Sequence, residues 1–214
     1  MRIPRTSYAL CVALVLIAVL GCERDGIRVA EGALVVWHGT VIDGTGAPPI
    51  PDGVVVVEGD RIAAVGEAAR FQIPEGVRAI DAGGGTILPG IIDAHTHSDH
   101  AASTRRTLLV DGVTSVCNLG TSMDRLPLFA EGSVEEGPAA RGFWAGPIIT
   151  APGGYPGPVY GAQFSYQVES TEEARAAVID LMDRGASMIK IALAPGDPRN
   201  PWPVLELDVV QAIV

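Results

Sequence analysis

IIDAHTHSDH, residues 91–100, holds three of the chain's four histidines, His95, His97 and His100. They crowd the end of an apolar run that opens just after Pro89-Gly90. Side chains alternate faces along a strand. If 91–97 is extended, Ile91, Asp93, His95 and His97 share one face, and Ile92, Ala94 and Thr96 take the other. The His-x-His pair then aims two imidazoles the same way, about 7 Å apart along the chain. Both can reach one metal ion from the C-terminal end of the strand, where parallel α/β folds bind ligands. A polar surface strand carries such a pair as well. The apolar run before it and Asp93 beside it favour ligation. His100, in the following loop, reads as solvated, and His38, far upstream, as structural.

Downstream, the pattern alternates. Residues 98–110 are compatible with a helix, GVTSVCNLG with a strand, GPIITAP with a third strand and MIKIAL with a fourth. STEEARAAVIDLMDRGA is the clearest helix: Ser170 or Thr171 can cap it, acids fill its first turn and Gly185 ends it. LELDVVQAIV opens another helix. Strands alternating with helices predict parallel βα units over 89–214. Upstream, residues 34–88 read as a β-module of about half a dozen short strands, with a hairpin around Glu58-Gly59-Asp60. The Gly-rich PGGYPGPVYG, residues 152–161, reads as an active-site loop, with an ordinary long connection as the alternative.

Lys190 is the only lysine; every other basic residue is arginine. In MIKIAL, Ile189, Ile191 and Leu193 would pack on helices, so Lys190 would face the interior. An unpaired buried ammonium is costly there. Such a lysine shifts toward its reactive neutral amine, which can take up carbon dioxide as a carbamate able to bridge two metals. An edge lysine paired with an acid is the plainer alternative.

The first residues stand apart. MRIPRTSYALCVALVLIAVLGC has Arg2 and Arg5, then an apolar run from Tyr8 to Leu20, the pattern of an export signal over 1–21. The run is shorter than the roughly 18–20 apolar residues that span a bilayer. Val19-Leu20-Gly21-Cys22 resembles a bacterial lipobox, which implies lipidation at Cys22 and a cell-envelope location, anchored to the membrane by lipid alone. Without lipidation the exported protein is secreted. Residues 22–33 read as a tether. Loss of 1–21 removes two arginines and takes the net charge from −10 to −12. Cys11 leaves with the signal and Cys22 carries lipid, so Cys117 is left without a disulfide partner. The acidic balance argues against a nucleic-acid partner.

GTVIDGTGAPP, DRIAAVG, GTILPGIIDAHTH, GVTSV and GASMIKIA together resemble the amidohydrolase superfamily, nearest its imidazolonepropionase-like and prolidase-like members. The resemblance runs from about Leu34 to the end of the chain. It implies an α/β chain: the first half of a (β/α)8 barrel of the TIM type, preceded by part of a small β-sandwich. It matches His95 and His97 to metal ligands and Lys190 to a lysine that many members carboxylate; Asp93 matches the motif without a ligand role. The implied cofactor is one or two divalent ions, most often zinc, and His ligation suits zinc. The implied reaction is hydrolysis of C–N bonds in a small amide or cyclic amide by metal-activated water. VIDGTGAPP with HTHSDH also looks like N-acyl-D-amino-acid deacylases.

The chain also departs from that family. A (β/α)8 barrel takes about 250 residues, and Pro89–Val214 supplies only four strands' worth. No histidine follows His100, and the proton-shuttling Asp of the family's last strand has no counterpart, so no catalytic residue is assigned. The expectation is the N-terminal half of an enzyme, from an incomplete or truncated reading frame, with the C-terminal half of barrel and sandwich missing. A catalytically inactive remnant or an envelope-anchored binding protein is the competing expectation. Cys117-Asn118 stands where relatives often carry Arg-Asp, and Gly153-Gly154-Tyr155 where they often carry Gly-Gly-His.

Overall fold

The computed structural model describes residues 26–97, 99, 101–130 and 137–214. The export signal, Cys22 and His100 lie outside the described residues. Contacts divide the chain into two units that meet in sequence at Pro89/Gly90.

The first unit is a β-module. Its strands are β1 (Ile27–Arg28), β2 (Leu34–Val41), β3 (Ile50–Glu58), β4 (Arg61–Glu67), β5 (Phe71–Gln72), β6 (Arg78–Asp81) and β7 (Thr86–Ile87). β2, β3 and β4 are antiparallel neighbours, while β6 and β7 both run parallel to β2. The β3–β4 hairpin turns at Gly59, whose φ of 61° suits glycine. Val54 and Val56, two apart on β3, are buried with Val35, while Phe71 packs against them. Val29 and Ala33 are buried in the same core. Residues 26–33 are therefore not a free tether: two small apolar side chains fix them to the sheet, and β1 pairs with β5.

The second unit alternates strands and helices. In order it contains β8 (Ile91–Thr96), α1 (Ala102–Val110), β9 (Val113–Asn118), α2 (Leu126–Ala130), β10 (Arg141–Trp144) and β11 (Ile148–Thr150). There follow α3 (Gly157–Tyr160), β12 (Ser165–Gln167), α4 (Thr171–Asp183) and α5 (Leu207–Ile213). β8, β9 and β10 form a parallel sheet in that order, and β11 pairs in parallel with β12. The core gathers Ile149, Val168, Leu205 and Val209 around Ala174, Ala177 and Leu181 of α4. The spacing of those three is that of one helix face.

Two expectations need correction. MIKIAL does not form a full strand; its only ladder contact is a parallel bridge from Ile191 to Ile149. Ile189 and Ile191 pack on the helical core as expected, but Leu193 is exposed. β11, three residues long, offers this segment too short a partner. β8, expected as an apolar parallel strand, is exposed at Ile91 and Ile92, because among the described residues only β9 pairs with it.

Candidate functional site

β8 delivers His95 from within the strand and His97 just past its end. Their rings converge, with Nε2 to Nε2 at 3.2 Å and the planes at 62°. The Asp93 carboxylate accepts the backbone N–H of His95 at 3.2 Å, which pins the strand end. The Nδ1 of His97 lies 3.1 Å from the carbonyl oxygen of Gly120. A carbonyl only accepts, so Nδ1 carries the proton and the Nε2 of His97 presents a lone pair. In that state His95 donates from Nε2 to His97.

The turn that supplies Gly120 is itself held. Asn118, fully buried at the end of β9, accepts the N–H of Gly120 through Oδ1 at 3.2 Å. Its Nδ2 donates to the carboxylate of Asp99 at 2.7 Å. Asp99 is buried, and Arg105 of α1 donates to its backbone carbonyl at 3.1 Å. Burial lowers the pKa of the Arg105 guanidinium, and the nearby Asp99 charge raises it in part. One chain of contacts thus runs from α1 through Asp99, Asn118 and Gly120 to the His97 ring.

His97 and Gly120 line a cavity of about 350 Å³. Arg125, from a 3-10 turn at Met123–Arg125, and Ile148 of β11 form part of its wall. The Gly-rich loop supplies Tyr155 and Tyr160, and Phe164 follows. Tyr155 meets Tyr160 edge to face at 6.1 Å and tilts onto Trp202 at 5.7 Å. Burial, then the charge and hydrogen bond of Tyr160, raise the Tyr155 pKa, so its phenol stays protonated. Gly154 lets the loop close: a Cβ there would collide with the Thr150 hydroxyl and with two backbone oxygens.

The donor set tests whether a metal fits. Two imidazole nitrogens about 2.0–2.1 Å from one tetrahedral zinc are about 3.3–3.4 Å apart, close to the 3.2 Å between these rings. The pair fits as two ligands. Among the described residues no third His, Cys, Asp or Glu joins them. Lys190 is half-buried beside the bridge to β11; it does not line the cavity. Its segment is bridged to β11, which belongs to a different sheet from β8. The structure brings His95 and His97 together, and Lys190 is not among the residues that line their cavity. His38 stacks on Trp37 and pairs with Asp81 at 3.2 Å, a structural role.

Sequence reasoning missed Arg125, Gly120 and Phe164. The tyrosines of PGGYPGPVYG could have been named, since aromatic residues in a Gly-rich loop beside a ligand strand are unusual cargo for a plain connection. MDRLPLF gives Arg125 no signal.

Comparison with known proteins points to one class: the chain is similar to members of the amidohydrolase superfamily. It is 44% identical over 62 residues to an imidazolonepropionase of Alkaliphilus oremlandii (strain OhILAs), a match covering 28% of this chain and 15% of that one. It is 34% identical over 102 residues to an N-acyl-D-aspartate deacylase of Alcaligenes xylosoxydans xylosoxydans, covering 46% and 20%. Among solved structures, a Xaa-Pro dipeptidase with bound methionine in its active site superposes with a TM-score of 0.68 at 22% identity. That likeness covers 85% of this chain and 53% of the dipeptidase, and speaks for the fold. The chain thus spans about half of that solved protein, and its matches span a fifth or less of these curated relatives. No family model matches.

Proposed function

We propose that the protein hydrolyses C–N bonds of small amides or cyclic amides, using a divalent ion held by His95 and His97. The observation that carries this is the convergence of the two Nε2 atoms, 3.2 Å apart, with His97 fixed on Gly120 at the wall of a small cavity. His95 and His97 would hold the ion, whose chemistry when bound would be to polarise a carbonyl and to make water a usable nucleophile near neutral pH. The chain's own residues prepare that chemistry. Gly120 holds the His97 proton at Nδ1, Asn118 holds Gly120, and the Tyr155, Tyr160 and Phe164 wall limits bulk water around the reacting bond. Lys190, as a carbamate, is the proposed further ligand. The relatives named for imidazolonepropionase and N-acyl-D-aspartate deacylase activity support cyclic and open-chain amides as the substrate class. We place the protein outside the cytoplasm, lipid-anchored through Cys22; no helix among the described residues is long and apolar enough to cross a membrane.

Elemental analysis of the purified protein and of its His95→Ala, His97→Ala and Lys190→Ala variants tests the metal. One or two zinc-like ions per chain, lost in both histidine variants, together with turnover of an N-acyl amino acid, is the expected result. Metal content indifferent to both histidines sinks the hydrolase reading, and bound metal without turnover of any amide turns it into a binding protein. For the anchor, Cys22→Ala is expected to move the protein from the membrane fraction to the soluble one; an unchanged distribution excludes lipidation there.

A further inference from the structure

We propose that Arg125 is a carboxylate anchor, so that the cavity beside His97 takes an N-acyl amino acid with its free acid on the guanidinium and its apolar body against Tyr155, Tyr160 and Phe164. This rests on the hydrolase reading of the same cavity and narrows its substrate class.

Four observations carry it. Arg125 is the one Lys, Arg, Asp or Glu side chain among the lining residues. It is half-buried, and among the described residues no carboxylate lies within ion-pair distance of it. Its neighbour Asp124 is exposed; hydrogen bonding to Ser122 lowers the pKa of that carboxyl more than the Arg125 charge does. The chain carries a net charge of −10, so a lone cation on a cavity wall runs against the general field. A guanidinium presents a planar fork of donors that matches a carboxylate with two parallel hydrogen bonds.

The remaining wall sets the rest of the ligand. Tyr155, Tyr160 and Phe164 offer aromatic faces and edges, and the raised Tyr155 pKa keeps an anionic phenolate out of the wall. A volume of about 350 Å³ falls at the small end of ligand clefts, roughly 300–1,000 Å³. That suits one acylated amino acid. With the acid on Arg125, the amide bond of such a ligand is free to face His97.

The test is equilibrium binding, which needs no turnover. N-acetylphenylalanine, its primary amide and inorganic phosphate are titrated into the full chain, in chelator-treated and zinc-loaded forms. Calorimetry and tryptophan fluorescence follow binding, since Trp202 lies against Tyr155. The acid is expected to bind about tenfold tighter than the amide, the effect of a charge-assisted hydrogen-bonded pair, and phosphate more weakly than either. Arg125→Gln is expected to abolish the preference for acid over amide at an unchanged unfolding midpoint. Arg125→Lys should retain part of it, and Tyr160→Ala should weaken acid and amide alike. Equal binding of acid and amide by the unmodified protein overturns the proposal, whatever the variants do. So does the absence of saturable binding of the acid, or phosphate binding as tightly as the acid. An acid preference that vanishes with His97→Ala and survives Arg125→Gln makes the metal the anchor, which overturns this inference and leaves the hydrolase reading standing. An acid preference that survives in a protein without metal or turnover keeps the anchor and removes the hydrolase.

Discussion

Asn118 is the side chain on which the histidine pair depends. Buried at 0% exposure, it uses both ends of its amide, one on Gly120 and one on Asp99. Asn118→Ala leaves the buried Asp99 oxygen without its donor, at a cost of about 1–3 kcal/mol, and frees the turn that orients His97. Loss of such an outer partner typically weakens a metal site about 10- to 100-fold. Urea denaturation reads the first effect and chelator competition the second; a full stability loss with unchanged metal affinity would separate Asn118 from the site. Asn118→Asp makes a sharper case. It sets a second carboxyl against Asp99, where Nδ2 now lies 2.7 Å away, so one of the two is held protonated in the fold. A folded-state pKa raised above the unfolded value gives stability that is present at low pH and lost as pH rises. The thermal midpoint of Asn118→Asp is therefore expected to fall with rising pH by more than that of the parent chain.

Among the elements, α4 was the most legible in the sequence. Ser170 accepts the Glu173 N–H at 3.2 Å, and the Glu173 carboxylate reaches back to the Glu169 N–H at 2.7 Å. The helix closes at Gly185 with a φ of 89°. Ser170→Ala is expected to cost about 0.5–2 kcal/mol, read as a lower urea midpoint at unchanged slope; no change would mean that the Glu173 arm alone holds the turn. Local chemistry of this kind is written in adjacent residues. The hairpin at Gly59, the helix at 102–110 and the His-x-His geometry were legible for the same reason. What depends on partners distant in sequence was not. MIKIAL has strand composition, but its ladder is limited by the three residues of β11. β12 was missed because FSYQV is short, although its alternation, with Tyr166 packing on the core, was a usable signal. Arg125 belongs to the cavity only because the chain around it turns after β9, and nothing beside it in sequence announces that.

For the whole molecule, apolar surface and net charge pull in opposite directions. β8 carries Ile91 at 57% exposure and Ile92 at 63%, and among the described residues its far edge has no partner. An apolar strand with an open edge is a template for pairing with another chain. The net charge of −10 opposes that pairing through repulsion, which salt screens over about 10 Å at 0.1 M. Association of the 214-residue chain is therefore expected to grow with concentration and with salt. Ile92→Thr removes apolar surface from the exposed strand while keeping β-branching. Light scattering should show less association for this variant, at an unfolding free energy within about 0.5 kcal/mol of the parent, as for other exposed positions. A variant that associates as strongly as the parent would move the sticky surface elsewhere; Val110 of α1, 86% exposed, is then the next position to change. A large loss of stability would instead mean that Ile92 is covered in solution by a second copy, with the open edge of β8 as the seam.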